Sequence, residues 1–370
     1  MSKYYSSKNI RRCGATYNII FGERSNGKTY DILSGEAEED GIIYNYLKKG
    51  EKGAILRRFR EDIVGKKGDI LFRPLVQNGV VYRLSDGQWT DIYHRGGQFW
   101  MCRYDEELDT IIKDTEPFCY SYAISQMEHD KGGSDQKITT VLFDEFITRS
   151  IYLNDEFILF QNVLSTIIRQ RSNVKIFMLG NTVSKYCPYF NEMGLKKIRN
   201  MKPGDIDVYS YGNSKLKVAV EFADSPSKKG KPSDFYFAFD NPRLQMITGG
   251  NGSGAVWEMD IYPHLPFKYK PKDVKFTYFI LFDGETFQAE IIQQKSTVIT
   301  YIHRKTTELQ NPDKDIIFSK SSDPRPNWRQ SLTRPTDQIT QTIIKFFAEG
   351  KVFYQDNDVG EAIRNFLIQK

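Results

Sequence analysis

Cysteine is scarce in this chain. Its four cysteines, Cys13, Cys102, Cys119 and Cys187, are widely scattered and form no CxxC pair. Such spacing supports neither a disulfide framework nor a zinc ribbon. The four histidines, His94, His129, His264 and His303, are just as dispersed and do not suggest a histidine-built metal centre. No apolar run approaches the ~18 residues of a membrane span, and no secretion signal is recognisable. No membrane partner is therefore expected, and a reducing cytoplasm is the expected setting. Charge of one sign is also lacking: 52 Lys and Arg against 47 Asp and Glu leave a net charge of only +5. A polyanion would have to be met by a local basic surface, because the molecule as a whole is no polycation.

A hydrophobic content of 39% and a charged content of 27% are those of an ordinary soluble globular protein, and 370 residues suffice for two domains with separate cores. The most telling segment is Tyr17 to Thr29, an apolar strand (Ile19, Ile20, Phe21) running into Gly22-Glu23-Arg24-Ser25-Asn26-Gly27-Lys28-Thr29. This is the complete GxxxxGK[ST] phosphate-binding pattern. Gly22 and Gly27 free the backbone to wrap its amides around phosphates. Lys28 offers a point charge to the β- and γ-phosphates, Thr29 a hydroxyl to a metal, and the helix expected from Lys28 turns its positive end toward the same anion. ATP and Mg²⁺ are the expected substrate and cofactor.

A second strand, Val141-Leu142-Phe143, ends in Asp144-Glu145, the Walker B arrangement. Asp144 is placed to hold the metal and Glu145 to polarise the attacking water. A further strand, Val174 to Leu179, runs into Gly180-Asn181. Asn181 is placed to sense the γ-phosphate, although an asparagine also commonly closes a strand at a turn.

Strands and helices alternate up to about residue 210. The strand Ala54 to Leu56 ends in a basic run, Arg57, Arg58 and Arg60, extended by Lys66 and Lys67. Residues 79–104 read as hairpins turning at Asp86-Gly87 and Gly96-Gly97, Phe118 to Ile124 as a strand, and Leu153 to Arg169 as an amphipathic helix. Residues 211–262, with Lys228, Lys229, Lys231 and the run Gly249 to Gly254, read as a connecting segment. Residues 263–370 form a second domain: a meander of Val274 to Phe282, Thr286 to Ile292 and Thr297 to Ile302, then helices at Thr336 to Glu349 and Val359 to Ile368.

In the order and rough spacing of these motifs, about 200 residues resemble the DNA packaging ATPases of phi29-like phages, relatives of the large terminases. The matching residues are Gly22 to Thr29, Arg57-Arg58-Phe59-Arg60, Val141 to Phe146, Thr166 to Arg171 and Leu179 to Ser184. The resemblance implies an α/β P-loop NTPase of the additional-strand, catalytic-glutamate class over residues 1–210, followed by a smaller α+β ribonuclease-H-like domain, a vestigial nuclease. It implies a homopentameric ring on the portal of a procapsid in the host cytoplasm, driving double-stranded DNA inward by ATP hydrolysis; a procapsid-bound RNA is a further candidate partner.

The site residues follow from the same resemblance. Arg169 falls on the position of the arginine that reaches a neighbouring subunit's γ-phosphate, with Arg171 the competitor. Without the resemblance, Arg169 reads as a solvated cation favoured at a helix C-terminus. Lys131 corresponds to a second, regulatory trans-acting cation, and Arg24 to a phosphate contact within its own subunit. Arg57, Arg58, Arg60, Lys66 and Lys67 are candidate DNA contacts, of a kind that grips phosphates without reading sequence.

Other readings stay open. A terminase-like nuclease needs several carboxylates converging on metal, for which Asp273, Asp283, Glu290, Asp313 and Asp315 are candidates; the phi29-like relatives imply that no cutting takes place. A stand-alone nucleotidase would leave Arg169 and the basic run unexplained. A connector with a decayed P-loop would not keep Lys28, Thr29, Asp144 and Glu145 intact.

Overall fold

The structure is a computed structural model and describes residues 5–24, 26–126, 135–149, 151–224, 257, 259–330, 332 and 337–368. The chain divides into two compact units, Met1–Trp257 and Glu258–Lys370.

The first unit is a ten-stranded mixed sheet. In chain order its strands are β1 (Tyr17–Gly22), β2 (Lys52–Arg57), β3 (Asp91–Arg95), β4 (Gln98–Asp105), β5 (Thr110–Lys113), β6 (Cys119–Ala123), β7 (Ile138–Asp144), β8 (Lys175–Asn181), β9 (Ile206–Ser210) and β10 (Lys217–Ala223). They lie in the order β3-β4-β6-β2-β7-β8-β1-β10-β9, with β5 beside β4. The six strands from β6 to β10 run parallel, and the antiparallel β4 and β9 flank them. One strand, β8, intervenes between the P-loop strand β1 and the acid-bearing strand β7.

The central strands are apolar almost throughout because both faces of the sheet are covered. Successive residues alternate between the two faces. Ile19, Phe21, Val141, Phe143 and Met178 pack in one core with Phe160, Val163, Leu164 and Ile167 of the helix α7 (Glu156–Ile168). Ile20, Ile55, Leu142, Phe177 and Leu179 pack in the other. That second core holds α2 (Lys28–Ser34) and α3 (Ile42–Lys49) through Ile32, Leu33, Ile42 and Ile43. The short helices α1 (Lys8–Arg12), α4 (Lys66–Ile70), α5 (Arg73–Gln77) and α6 (Val80–Leu84) complete the unit's N-terminal half.

Two expectations for this unit are corrected. Residues 80–84 are helical, not the first arm of a hairpin: Asp86 and Gly87 take left-handed φ angles of 52° and 85° just beyond the end of α6. The turn at Gly96-Gly97 does join two strands, β3 and β4. The connecting segment also cannot begin at residue 211, because β10 pairs with β1 along its whole length and buries Val218, Val220 and Phe222 in the core. The basic loop and the glycine run expected between 225 and 254 lie outside the described residues.

The second unit holds a six-stranded sheet of β11 (Val274–Phe282), β12 (Glu285–Gln294), β13 (Thr297–Arg304), β14 (Ile317–Ser319), β15 (Trp328–Arg329) and β16 (Val352–Tyr354), ordered β15-β14-β11-β12-β13-β16. The first three form an antiparallel meander; β14 pairs parallel with β11, β15 with β14 and β16 with β13. Two helices, Gln338–Ala348 and Asn357–Ile368, follow where the sequence places them. The first opens on Asp337, whose side chain accepts the backbone N–H of Thr340 at 2.9 Å, an N-cap.

Candidate nucleotide site

A cleft of about 430 Å³ opens at the carboxyl ends of β1, β7 and β8, where parallel sheets place their ligands. It is bordered by Arg24, Asn26, Gly27, Lys28, Thr29, Asp144, Glu145 and Asn181, so most of the candidate residues from three separate stretches of sequence meet there. Gly27 has φ 96°, a backbone state that only glycine adopts freely, and α2 begins directly after it. At Gly22 an added Cβ would stand 2.9 Å from the carbonyl oxygen of Ala223, so the neighbouring strand also excludes a side chain.

Lys28 is buried, and its Nζ donates to the carbonyl of Glu23 at 2.6 Å, to Asn26 Oδ1 at 3.1 Å and to Asn181 Oδ1 at 3.5 Å. The ammonium is thus folded back into its own loop and reaches the tip of β8. Asn181 lies beside Gly22 in the β1–β8 register, which fixes it at the phosphate end of the cleft. The amide nitrogen of Asn26 is buried with no hydrogen-bond partner among the described residues, a donor suited to an anion in the cleft.

Across the cleft, Thr29 Oγ1 donates at 3.3 Å to each oxygen of the buried Asp144 carboxylate. Burial pushes the Asp144 carboxyl above its ordinary pKa, and the Glu145 charge adds to the rise, while Arg57 pulls the other way. A hydroxyl beside a carboxylate is a hard-oxygen pair that suits Mg²⁺. Glu145 takes a left-handed φ of 59° and its side chain is 65% exposed, so it stands out from the end of β7 toward solvent.

The basic run after β2 divides in a way the sequence does not announce. Pairing of Leu56 with Phe143 sets the next residue, Arg57, beside the acids: its guanidinium meets Asp144 Oδ2 at 2.7 Å and Glu145 Oε2 at 2.6 Å. Arg58 is buried, pairs with Glu156 Oε2 at 2.7 Å and donates to the carbonyl of Phe146 at 2.8 Å. Both Arg57 and Arg58 are thus engaged within the unit, whereas the expectation had them among the DNA contacts. Arg60, Lys66 and Lys67 are exposed, with Lys67 2.6 Å from Asp62.

Arg169 lies at the other edge of the sheet. As the crossover between parallel β7 and β8, α7 must run back toward the strand amino ends, and Arg169 caps its C-terminus. It shares a surface pocket with Tyr17, the first residue of β1, whereas the P-loop leaves the last. At about 3.3 Å per residue the two ends of β1 stand about 16 Å apart. The exposed Arg169 side chain makes no hydrogen bond or ion pair among the described residues. Arg171, by contrast, donates to four backbone carbonyls. Ser25 and Lys131 lie outside the described residues.

In the second unit the candidate nuclease acids are spread out. Asp273 caps a turn at Lys270, Asp283 sits in the β11–β12 turn with φ 54°, and Asp313 lies 3.3 Å from Arg325. Glu290 accepts hydrogen bonds from Tyr269 at 2.5 Å and Gln288 at 2.6 Å. Burial works to raise its pKa, but these bonds and His303 hold it below the ordinary range. No group of three or more acidic, histidine or cysteine side chains is arranged to hold a metal among the described residues.

The mixed α/β sheet and the cleft at its carboxyl edge fit a P-loop NTPase. Residues 110–228 match the family Podovirus DNA encapsidation protein (Gp16). The chain is 24% identical over 288 residues to the DNA packaging protein of Bacillus phage phi29, covering 77% of this chain and 74% of that one. It is 23% identical over 272 residues to the DNA packaging protein of Bacillus phage B103, covering 72% and 71%. In fold it is similar to a chain of the phi29 viral genome packaging motor assembly, with a TM-score of 0.55, 17% identity and coverage of 98% of this chain and 97% of that one. By sequence and by fold, then, the chain is similar to the packaging proteins of phi29-like phages.

Proposed function

We infer that this protein is an ATPase that drives double-stranded viral DNA into a procapsid as one subunit of a ring motor. The observation that carries this reading is the cleft that gathers Lys28, Thr29, Asp144, Glu145 and Asn181 in a chain similar over 77% of its length to a DNA packaging protein. Lys28 and the P-loop amides bind the phosphates. Thr29 and Asp144 would hold Mg²⁺, which when bound neutralises phosphate charge. Glu145 orients and deprotonates the attacking water, and Asn181 contacts the γ-phosphate. In the structure Glu145 is paired with Arg57, so it becomes free to act as base only when that ion pair opens.

Arg169 completes the site of a neighbouring subunit, since it cannot reach its own across the length of β1. A planar guanidinium delivered there offsets charge on the transferring phosphoryl group. Arg60, Lys66 and Lys67 form the exposed cationic segment for DNA backbone contact, with Lys131 and Ser25 retained as the regulatory cation and a P-loop residue. The strand intervening between β1 and β7 supports the additional-strand, catalytic-glutamate class.

In the second unit an antiparallel meander continued by two parallel strands on the β11 side supports a ribonuclease-H-like fold, and the dispersal of its carboxylates supports a role other than cutting. A homopentamer, the portal and procapsid as docking partners, a procapsid-bound RNA and the host cytoplasm complete the proposal. Steady-state ATP hydrolysis with and without double-stranded DNA tests it: stimulation by DNA is expected, and turnover indifferent to DNA would return the chain to the solitary nucleotidases.

A further inference from the structure

We propose that Arg171 is a positioning residue that fixes the neighbour-directed Arg169 and ties it to the strand carrying the subunit's own catalytic acids; this rests on the reading of Arg169 as trans-acting. The guanidinium of Arg171 donates to four backbone carbonyls on two elements. On α7 it takes Ile168 at 3.0 Å through Nε and Ile167 at 2.7 Å through Nη2. At the start of β7 it takes Gln136 at 2.7 Å, and also Ile138, through Nη1.

The first pair are carbonyls that the end of a helix leaves without intrahelical partners. Of the second pair, Ile138 opens the strand whose far end presents Asp144 and Glu145, and Gln136 lies in the turn just before it. Between these anchors, Arg169 and Gln170 both hold left-handed φ angles, 44° and 65°, which non-glycine residues avoid unless their surroundings impose them. One guanidinium therefore maintains a strained two-residue turn whose first member is Arg169, which has no side-chain partner among the described residues. Its planar fork suits this task, because a lysine ammonium at the same place cannot spread its donors to carbonyls on both sides.

Mixed-subunit hydrolysis with DNA and procapsids tests this. Arg171→Ala alone is expected to lower DNA-stimulated turnover at least tenfold while leaving the nucleotide KM within about twofold. Mixed with Glu145→Gln it should recover, because the Glu145→Gln subunit supplies an intact Arg169 to the Arg171→Ala subunit's site. Mixed with Arg169→Ala it should not, because both variants fail in the same donated part. The reverse pattern, recovery with Arg169→Ala and none with Glu145→Gln, would place Arg171 in its own subunit's chemistry and overturn the proposal.

Hydrogen exchange on the unassembled protein separates a clamp from a second finger: loss of Arg171 should speed exchange at 165–171, and unchanged exchange would overturn the clamp. Arg171→Lys covers the case in which the alanine variant does not assemble. It should stay defective in the same mixtures, and full activity would count against the proposal. Failure of Glu145→Gln and Arg169→Ala to complement each other would instead sink the underlying trans-acting reading, whatever Arg171 does.

Discussion

The two edges of the central sheet handle charge in opposite ways. At the carboxyl edge Arg57 pairs with Asp144 and Glu145 while Lys28 donates to Glu23, Asn26 and Asn181, so each charge is engaged by another group. At the amino edge Arg169 projects from a strained helix end with no partner among the described residues. One edge is a cleft that gathers acids and cations together, and the other carries a cation with no anion beside it among the described residues. The difference is the one our proposal rests on, in which the amino edge of one subunit completes the carboxyl edge of the next.

The sharpest way to probe the carboxyl edge is Glu145→Gln. It should lower turnover by about 10²- to 10⁴-fold, as expected for loss of a general base, while nucleotide binding persists. Turnover near the wild-type rate would remove Glu145 from the chemistry. The neighbouring arginines offer a second contrast. Arg58→Ala strands the buried Glu156 carboxylate and should cost about 3–5 kcal/mol in chemical unfolding. A loss below about 1 kcal/mol would show that the pair is dispensable.

A third effect lies beneath the P-loop, where Glu221 of β10 is buried, accepts the Tyr5 hydroxyl at 2.7 Å and interacts with the nearby Asp31. Burial pushes its pKa up to about 7 from an ordinary 4.5. A raised carboxyl pKa means that the folded state holds the proton more tightly than the unfolded one. The resulting stability is complete below about pH 4.5 and is lost as pH rises to about 7. Glu221→Gln should flatten that part of the profile and raise stability at pH 8 by on the order of 2 to 3 kcal/mol. An unchanged profile would mean that the carboxylate is not what titrates. Smallest in stability is Arg60→Ala, expected within about 0.5 kcal/mol of wild type. It should still reduce the salt dependence of DNA binding by about one unit of slope. An unaltered slope would take the exposed segment off the DNA.

Much of this was legible in the sequence because it is local. The P-loop, the acid-ended strand β7, the apolar stripe of α7 and each strand of the second unit's meander declare themselves within a dozen or so residues. What escaped depends on pairing between distant segments. Arg57 and Arg58 read as a surface run because nothing nearby in the chain says that β2 lies against β7; the register of Leu56 with Phe143 settles it. In the same way β10 was hidden in an expected connector, since its burial comes from β1, about 200 residues earlier. The Tyr5–Glu221 contact joins residues 216 positions apart and left no local signal.

The most direct test of the shared site is DNA-stimulated ATP hydrolysis by a mixture of Glu145→Gln and Arg169→Ala subunits, each expected to be inactive alone. Recovery on mixing is the predicted result, because the Arg169→Ala subunit keeps a working carboxylate and receives its arginine from the Glu145→Gln neighbour. Full activity of Arg169→Ala by itself, with no gain on mixing, would contradict the account and leave each cleft complete within its own chain.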